Sequence, residues 1–272
     1  MRRFLLLGML LASARGLASK AAKTVRLDKL LNDAGAADGR AACGKLIKQG
    51  RVAVDGATVR AVGAKVAGDA AVAVDGEPVA AAPLLWCYHK PVGVHSTVRD
   101  DRGRPDLSTV LPRKAHPVGR LDADTSGLLL FSSDGALTHK LLAPRHGVAK
   151  EYVADCDFGD AADDALRGGD AEEWLTSRLA AGVETALGVH AADVVAVRAR
   201  DGGLCVRLVV REGKHRMVRR MLANVGLPVV GLRRERFGAV ALGDAPEGAV
   251  AAAPADALAW ARGLLDGGDD VR

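Results

Sequence analysis

The stretch GRLDADTSGLLLF, residues 119–131, sets two carboxylates, Asp122 and Asp124, directly ahead of an uninterrupted apolar run. That run reads as a buried strand. An acid at the mouth of a buried strand costs free energy unless something pairs it or uses it. Three chemistries compete for the pair. A calcium loop needs ligands at positions 1, 3 and 5, glycine at 6 and a bidentate Glu at 12. Asp122, Asp124, Ser126 and Gly127 fit its opening, but its twelfth position is Ser133, and Leu128 to Phe131 would have to lie in a hydrated loop. A magnesium-dependent aspartyl-phosphate phosphatase also uses Asp-x-Asp, but behind a buried strand; here HPVGR precedes the acids and the strand follows them. The third use is a metal-free nucleophilic carboxylate. Burial would raise its pKa, so it requires a nearby cation to stay ionised.

Two sources of that cation are legible. Arg120 lies two residues before Asp122. The other is the helix HRMVRRMLANVG, residues 215–226, whose apolar stripe is Val218, Met221, Leu222 and Val225. At 100° per residue Arg219 lies on the flank of that stripe, while Arg216 and Arg220 point away from it. Arg219 is therefore expected to reach Asp122, leaving Arg216 and Arg220 for phosphates or water.

Away from the motif, WCYHKPVGV (86–94), AKEYVADCD (149–157), DVVAVRAR (193–200) and LCVRLVV (204–210) read as strands, the last two joined by a turn at DGG. Residues 251–272 read as a covering helix and tail. Toward the amino terminus, Leu27, Leu30, Leu31 and Ala34 fall on one helical face that Gly35 stops. A second helix, capped by Asp38, carries Cys43, Leu46 and Ile47 and ends at Gly50. RVAVDGATV and AVAVDGEPV then alternate as strands, each broken by an Asp-Gly turn. EPVAAAPLL, around Pro78 and Pro83, reads as a linker. The domains expected are 24–80 and 84–250.

With 49% hydrophobic and 26% charged residues the chain is a folded one, not a disordered one. Its net charge of +5 is unevenly spread: residues 1–77 hold 13 Lys and Arg against 7 acids, and residues 211–236 hold 8 against 2. Two separated basic patches suit a long polyanion, though a solvated basic face accounts for them as well. Four cysteines without a CxxC and seven histidines without HExxH give no ligand pattern, so no metal and no cofactor is expected. Residues 1–23 have Arg2 and Arg3 before the apolar run Leu5 to Leu11 and no acid, a composition read as a cleaved targeting segment too short to span a bilayer.

GRLDADTSGLLLFSSDG resembles the central motif of pseudouridine synthases. LLAPRHGVAKEY (141–152) and REGKHRMVRRMLANVG (211–226) are similar to the motifs that follow it in the ribosomal small-subunit branch. Residues 26–76 resemble the RNA-binding module first seen in a small-subunit ribosomal protein. HKPVGV is similar to the family's Asn-Lys-Pro-x-Gly turn, with His89 in place of Asn, and Met217 stands where the family usually has Gln. The resemblance spans about residues 25–243.

It implies an α+β fold, a mixed sheet of two α+β halves around a catalytic cleft, with a small αα-β RNA-binding module at the amino terminus. The implied activity is isomerisation of a uridine in rRNA to pseudouridine, without metal or cofactor, by a monomer that carries no membrane segment when mature. Asp122 would be the nucleophile, Arg120 would fill the space left by the extruded uridine, Tyr152 would pack against the uracil, and Arg219 would pair with Asp122. Asp124 would order the loop by bonding its own backbone. RNA contacts are expected from Arg26, Lys29, Arg40, Lys45, Lys48, Arg51, Lys214, Arg216 and Arg220. An RNA-directed enzyme with a targeting segment points to an organelle with its own ribosomes, the alternative being the cytoplasm. The rival function is a non-catalytic RNA-binding protein of ribosome assembly.

Overall fold

Residues 24–68, 70–79, 83–160 and 162–267 are described by the computed structural model, so the segment read as a targeting peptide lies outside them. The chain divides into two units, Met1–Ala82 and Pro83–Arg272. The smaller comprises β1 (Thr24–Arg26), α1 (Leu27–Asp33), α2 (Arg40–Lys48), β2 (Val52–Val54), β3 (Ala57–Thr58), β4 (Lys65–Ala67), β5 (Val72–Val74) and β6 (Glu77–Pro78). Its strands form a sheet in the order β3-β2-β5-β6 and a separate β1-β4 pair. Both Asp-Gly pairs adopt positive φ at each residue, 50° and 82° at Asp55-Gly56 and 52° and 85° at Asp75-Gly76, the type I′ geometry that suits a tight hairpin. The helical periodicity read from the sequence closes a core of Leu27, Leu31, Cys43, Ile47, Val52 and Val72. One detail is corrected: the N-cap of α2 is Gly39, at φ 89°, and not Asp38.

The larger unit comprises β7 (Leu85–Lys90), β8 (His116–Val118), β9 (Ser126–Ser132), α3 (Gly135–Leu142), β10 (Lys150–Asp157), α4 (Asp164–Arg167), α5 (Ala171–Ala180), β11 (Val183–Thr185) and β12 (Gly188–His190). It continues with β13 (Asp193–Arg200), β14 (Gly203–Val210), α6 (Met217–Asn224), β15 (Val229–Phe237), β16 (Val240–Ala241), β17 (Val250–Ala252) and α7 (Ala255–Leu265). Its main sheet runs β13-β14-β10-β15-β9-β7-β17, with β8 on β9 and β16 on β15. Every pairing in it is antiparallel except β15 with β9. That parallel junction joins two antiparallel halves, the α+β architecture expected. The apolar run of the opening motif is β9, buried at every residue. Under one face, α3 and α7 close a core that includes Leu85, Leu128, Leu130, Leu137, Phe237 and Leu264.

The junction decides where the two halves of the motif chemistry meet. Parallel strands enter a sheet from the same end, so the loop before β9 and the helix before β15 are brought to one place. Register fixes it: Arg233 lies opposite Ser126 and Arg234 opposite Gly127. Gly127 has φ 103°, and a Cβ there would stand 2.3 Å from the Arg234 carbonyl oxygen. Only glycine permits that approach.

Candidate active site

At the end of the sheet where the junction opens, residues 119–122, Thr125, Val210 and residues 212–218 border a cleft of about 370 Å3. Asp122 lines it, and so do Arg120 and Tyr152. The Asp122 carboxylate makes no hydrogen bond or ion pair among the described residues, while its backbone carbonyl accepts the Thr125 N–H at 3.0 Å and so tightens the turn into β9. The neighbouring turn braces it: the Gly93 N–H donates to the Ala123 carbonyl at 2.7 Å.

The pairing of the two acids differs from the sequence reading. Arg219 is buried on α6, as the periodicity requires, but its Nε lies 3.4 Å from the Asp124 carboxylate, and its Nη2 donates to the Asp124 carbonyl at 2.7 Å. Its Nη1 donates to the Val229 carbonyl at 3.0 Å, tying the helix to the start of β15. Arg216, expected to be left for phosphate, instead forks onto the Asp124 carboxylate at 3.0 and 2.8 Å. Asp124 therefore does more than fold back on its own loop; it clamps the loop that carries Asp122 to α6. Burial would raise the Asp124 carboxyl, but the Arg216 hydrogen bonds and the charges of Arg219 and Arg216 outweigh it and hold it below the usual carboxylate range. The same partner raises Arg216, whereas burial lowers Arg219. Arg216 stands at the N-cap of α6 with a left-handed backbone, φ 53°.

Two lysines that sequence reasoning passed over lie under the site. Lys90, the last residue of β7, is wholly buried and donates to the carbonyls of Pro91 and Val94, each at 2.8 Å. Burial pulls its ammonium down to about 8 against the opposing charges of Asp122 and Asp124. Lys150 shares a face of β10 with Tyr152, lines the cleft, and lies 5.0 Å from the Phe237 ring centroid. Burial, aided by Arg234, brings it also down to about 8. A lysine two residues before Tyr152 in an alternating strand was the available signal, since such positions face the same way.

Tyr152 is 9% exposed, and its hydroxyl accepts from Arg234 Nη1 at 3.4 Å. Arg234 is buried, donates through Nε to the Leu128 carbonyl at 2.7 Å, and lies 5.0 Å from the Phe237 centroid. It binds the two halves of the sheet beneath the cleft. Glu212 lines the same cleft and receives the Nδ1–H of the buried His190 at 2.7 Å, which fixes the β11–β12 hairpin to the cleft wall.

Of the residues assigned to RNA, Lys214 lines the cleft and donates to the Leu187 carbonyl at 3.1 Å; Arg220 is half-buried on α6. Arg120 is exposed and has no ion pair among the described residues. In the smaller unit Arg26 and Arg40 converge on buried Asp28, at 3.0 and 2.9 Å, and so build that unit. Lys29 pairs with Asp33 and Arg51 with Asp75, at 2.6 and 2.5 Å. Lys45 and Lys48 are exposed without an ion pair among the described residues. The two departures from the family pattern are both accommodated: His89 donates through Nδ1 to the Ala245 carbonyl at 2.6 Å, and Met217 is buried against the cleft.

Comparison with known proteins places this geometry. Residues 84–224 match the family model described as RNA pseudouridylate synthase, and residues 25–72 match the S4 domain. A Mycobacterium leprae protein described as an uncharacterized RNA pseudouridine synthase is 42% identical over 243 residues, 86% of this chain and 90% of its own length. The ribosomal large subunit pseudouridine synthase B of Bacillus subtilis is 35% identical, over 78% of this chain and 85% of its own. The ribosomal small subunit pseudouridine synthase A of Salmonella typhimurium is 34% identical, over 75% and 85%. A crystal structure of a pseudouridylate synthase shares the fold, with a TM-score of 0.53, 24% identity, and coverage of 87% of this chain and 99% of its own.

Proposed function

This chain belongs to the RNA pseudouridylate synthase family and is an isomerase acting on RNA; from that premise we propose that its substrate is a uridine of ribosomal RNA and that Asp122 is the nucleophile. The relatives named for the large and the small subunit are nearly equally similar, 35% and 34%, and both names support ribosomal RNA as the substrate class.

One observation carries the choice of Asp122. Of the two motif carboxylates it alone is without an ion pair among the described residues and lines the cleft that contains Tyr152, whereas Asp124 is engaged by two arginines. The reaction breaks the bond between uracil N1 and the ribose anomeric carbon, turns the base, and joins that carbon to C5. A proton leaves C5 and one is gained at N1, so the product is an isomer. The uridine must first leave its stack, at a cost of a few kcal/mol. Exposed, unpaired Arg120 is suited to filling the gap, and Tyr152 to packing on the uracil, a contact worth about 1–3 kcal/mol per base. The Asp124 clamp holds the loop that carries Asp122, and Lys90 holds the neighbouring turn whose Gly93 N–H bonds to Ala123.

The protein is read as a monomer working without metal. With residues 1–23 goes the reading of delivery to an organelle, tested by sequencing the amino terminus of the mature protein; an intact Met1 would leave the cytoplasm.

The deciding measurement maps pseudouridine in unmodified transcripts of bacterial small- and large-subunit rRNA treated with wild type or Asp122→Asn. Wild type is expected to modify a defined uridine and the variant none, with RNA binding retained. Equal modification by both would remove Asp122 from the chemistry.

A further inference from the structure

A second cavity, of about 560 Å3, adjoins the cleft at Asp122. The two share a wall made of Arg120, Leu121, Asp122, His215 and Arg216. The second is also lined by residues between His95 and Arg104, part of a segment, residues 95–106, to which no role has been given.

This segment has no helix or strand, yet it is closely fastened. Asp100, its side chain 5% exposed, accepts the backbone N–H groups of Arg102 and Arg104, both at 3.0 Å, and takes the Arg104 guanidinium at 2.6 Å. The Asp100 N–H in turn donates to Asp106 at 2.9 Å. The loop closes on itself where His95 N–H donates to the Pro105 carbonyl at 2.8 Å, and fully buried Leu107 anchors its end. It is also tied to the motif: the Ser96 hydroxyl donates to the Leu121 carbonyl at 2.7 Å and accepts the Leu121 N–H at 3.1 Å. A loop stapled by carboxylates to its own backbone holds its exposed side chains in place before any ligand arrives.

The charges around the cavity are not equivalent. Arg99, Arg104 and Arg216 are each answered by an acid, Asp101, Asp100 and Asp124. Arg102 and Arg120 are exposed and have no ion pair among the described residues. The cavity thus presents two uncompensated guanidinium groups, Arg102 on the stapled loop and Arg120 on the shared wall.

We propose that this second cavity seats a phosphodiester of the substrate RNA next to the target uridine, with Arg102 as its principal ligand. The inference rests on the reading of Asp122 as the group that meets the ribose. A nucleotide has its base on one side of the sugar and its phosphates on the other. With the base in the cleft beside Tyr152 and the sugar at Asp122, the backbone leaves into the cavity beyond the shared wall. A guanidinium there meets phosphate oxygens through paired N–H groups. Such a contact positions the RNA and carries no sequence information. Arg102 is a binding residue, and its loss changes substrate affinity and leaves the chemical step alone.

The test uses full-length protein on the rRNA transcript in which wild type makes pseudouridine. Arg102→Ala is expected to raise KM severalfold at unchanged kcat and to lower the slope of log(kcat/KM) against log salt by about one. Arg102→Lys should recover the slope, and Arg178→Ala on α5 should behave as wild type. A short RNA around the mapped uridine, with each flanking phosphate replaced in turn by a neutral methylphosphonate, locates the contact. At one position the RNA change should weaken wild type but not Arg102→Ala, the non-additivity of a direct pair. Wild-type KM and slope in Arg102→Ala, or additive losses at every phosphate, would overturn the proposal while leaving the enzyme reading intact. Absence of pseudouridine from every rRNA transcript with wild type would overturn that reading, and the proposal with it.

Discussion

Asp124 separates two roles that adjacent acids could share. By holding Arg216 and Arg219 it locks the loop that carries Asp122, so Asp124→Asn is expected to lower kcat at least about tenfold with a smaller effect on KM for RNA. Its coupling to Arg216→Ala in a double-mutant cycle should be about 0.5–3 kcal/mol, as for residues in one charge network; additive effects would show that the clamp does not act as a unit. Because the Asp124 pKa is lower folded than unfolded, the stability it contributes is present above the ordinary carboxylate range and is lost as pH falls through the folded value. Lys90 and Lys150 act in the opposite range. Each is brought from 10.5 to about 8, so between those values the unfolded chain binds more protons and stability rises with pH. Relative to Lys150→Met, wild type should gain on the order of 3 kcal/mol between pH 8 and pH 10.5 in denaturant titrations. A flat difference would mean that Lys150 keeps its ordinary affinity for protons.

Strands β9 and β15 share so short a register that one residue controls it. Gly127→Ala would bring a Cβ to 2.3 Å from the Arg234 carbonyl oxygen and 2.6 Å from its nitrogen, at a φ of 103°. Neither backbone atom can swing aside, so the expected loss is more than about 4 kcal/mol of stability, measured by denaturant unfolding, together with loss of activity. Much at this scale was legible: the all-apolar run is the buried β9, the Asp-Gly pairs are hairpin turns, and the stripe of α6 faces inward with Arg219 on its flank. What was not legible depends on register and on side-chain bonds to backbone. Which acid Arg219 meets is set by where α6 lies against the entry to β9, and no periodicity encodes that. The loop at 95–106 is ordered by Asp100 and Asp106 and shows no hydrophobic period, so its order leaves no signal in the sequence. Asp38 has the side chain of a cap, yet Gly39 takes the N-cap position with a backbone conformation open chiefly to glycine.

At the scale of the whole molecule each unit has, among the described residues, a core of its own, that of the amino-terminal unit under its helices and that of the larger unit including the cluster under α3 and α7. A chain truncated to residues 83–272 is therefore expected to melt cooperatively, as followed by calorimetry. Deleting residues 24–77 from the full chain should flatten the salt dependence of rRNA binding. Among the cations assigned to RNA there, Lys45 and Lys48 are expected to contribute most, since Arg26, Lys29, Arg40 and Arg51 are already matched by acids. An unchanged slope in Lys45→Ala/Lys48→Ala would mean that these two lysines are merely hydrated.

The parallel seam between β9 and β15 also sets the order of events during biosynthesis. Ser126 and its partner Arg233 are made far apart in time, and every other pairing of the two half-sheets is between strands of the same half. Pairings of such long sequence separation form late, because loop closure must precede them. A nascent chain can thus finish its first hairpins while the nucleophile loop still lacks α6. The assembled site requires the segment through Phe237, so the chain is expected to be catalytically inactive for most of its own translation even where its amino-terminal unit already binds RNA.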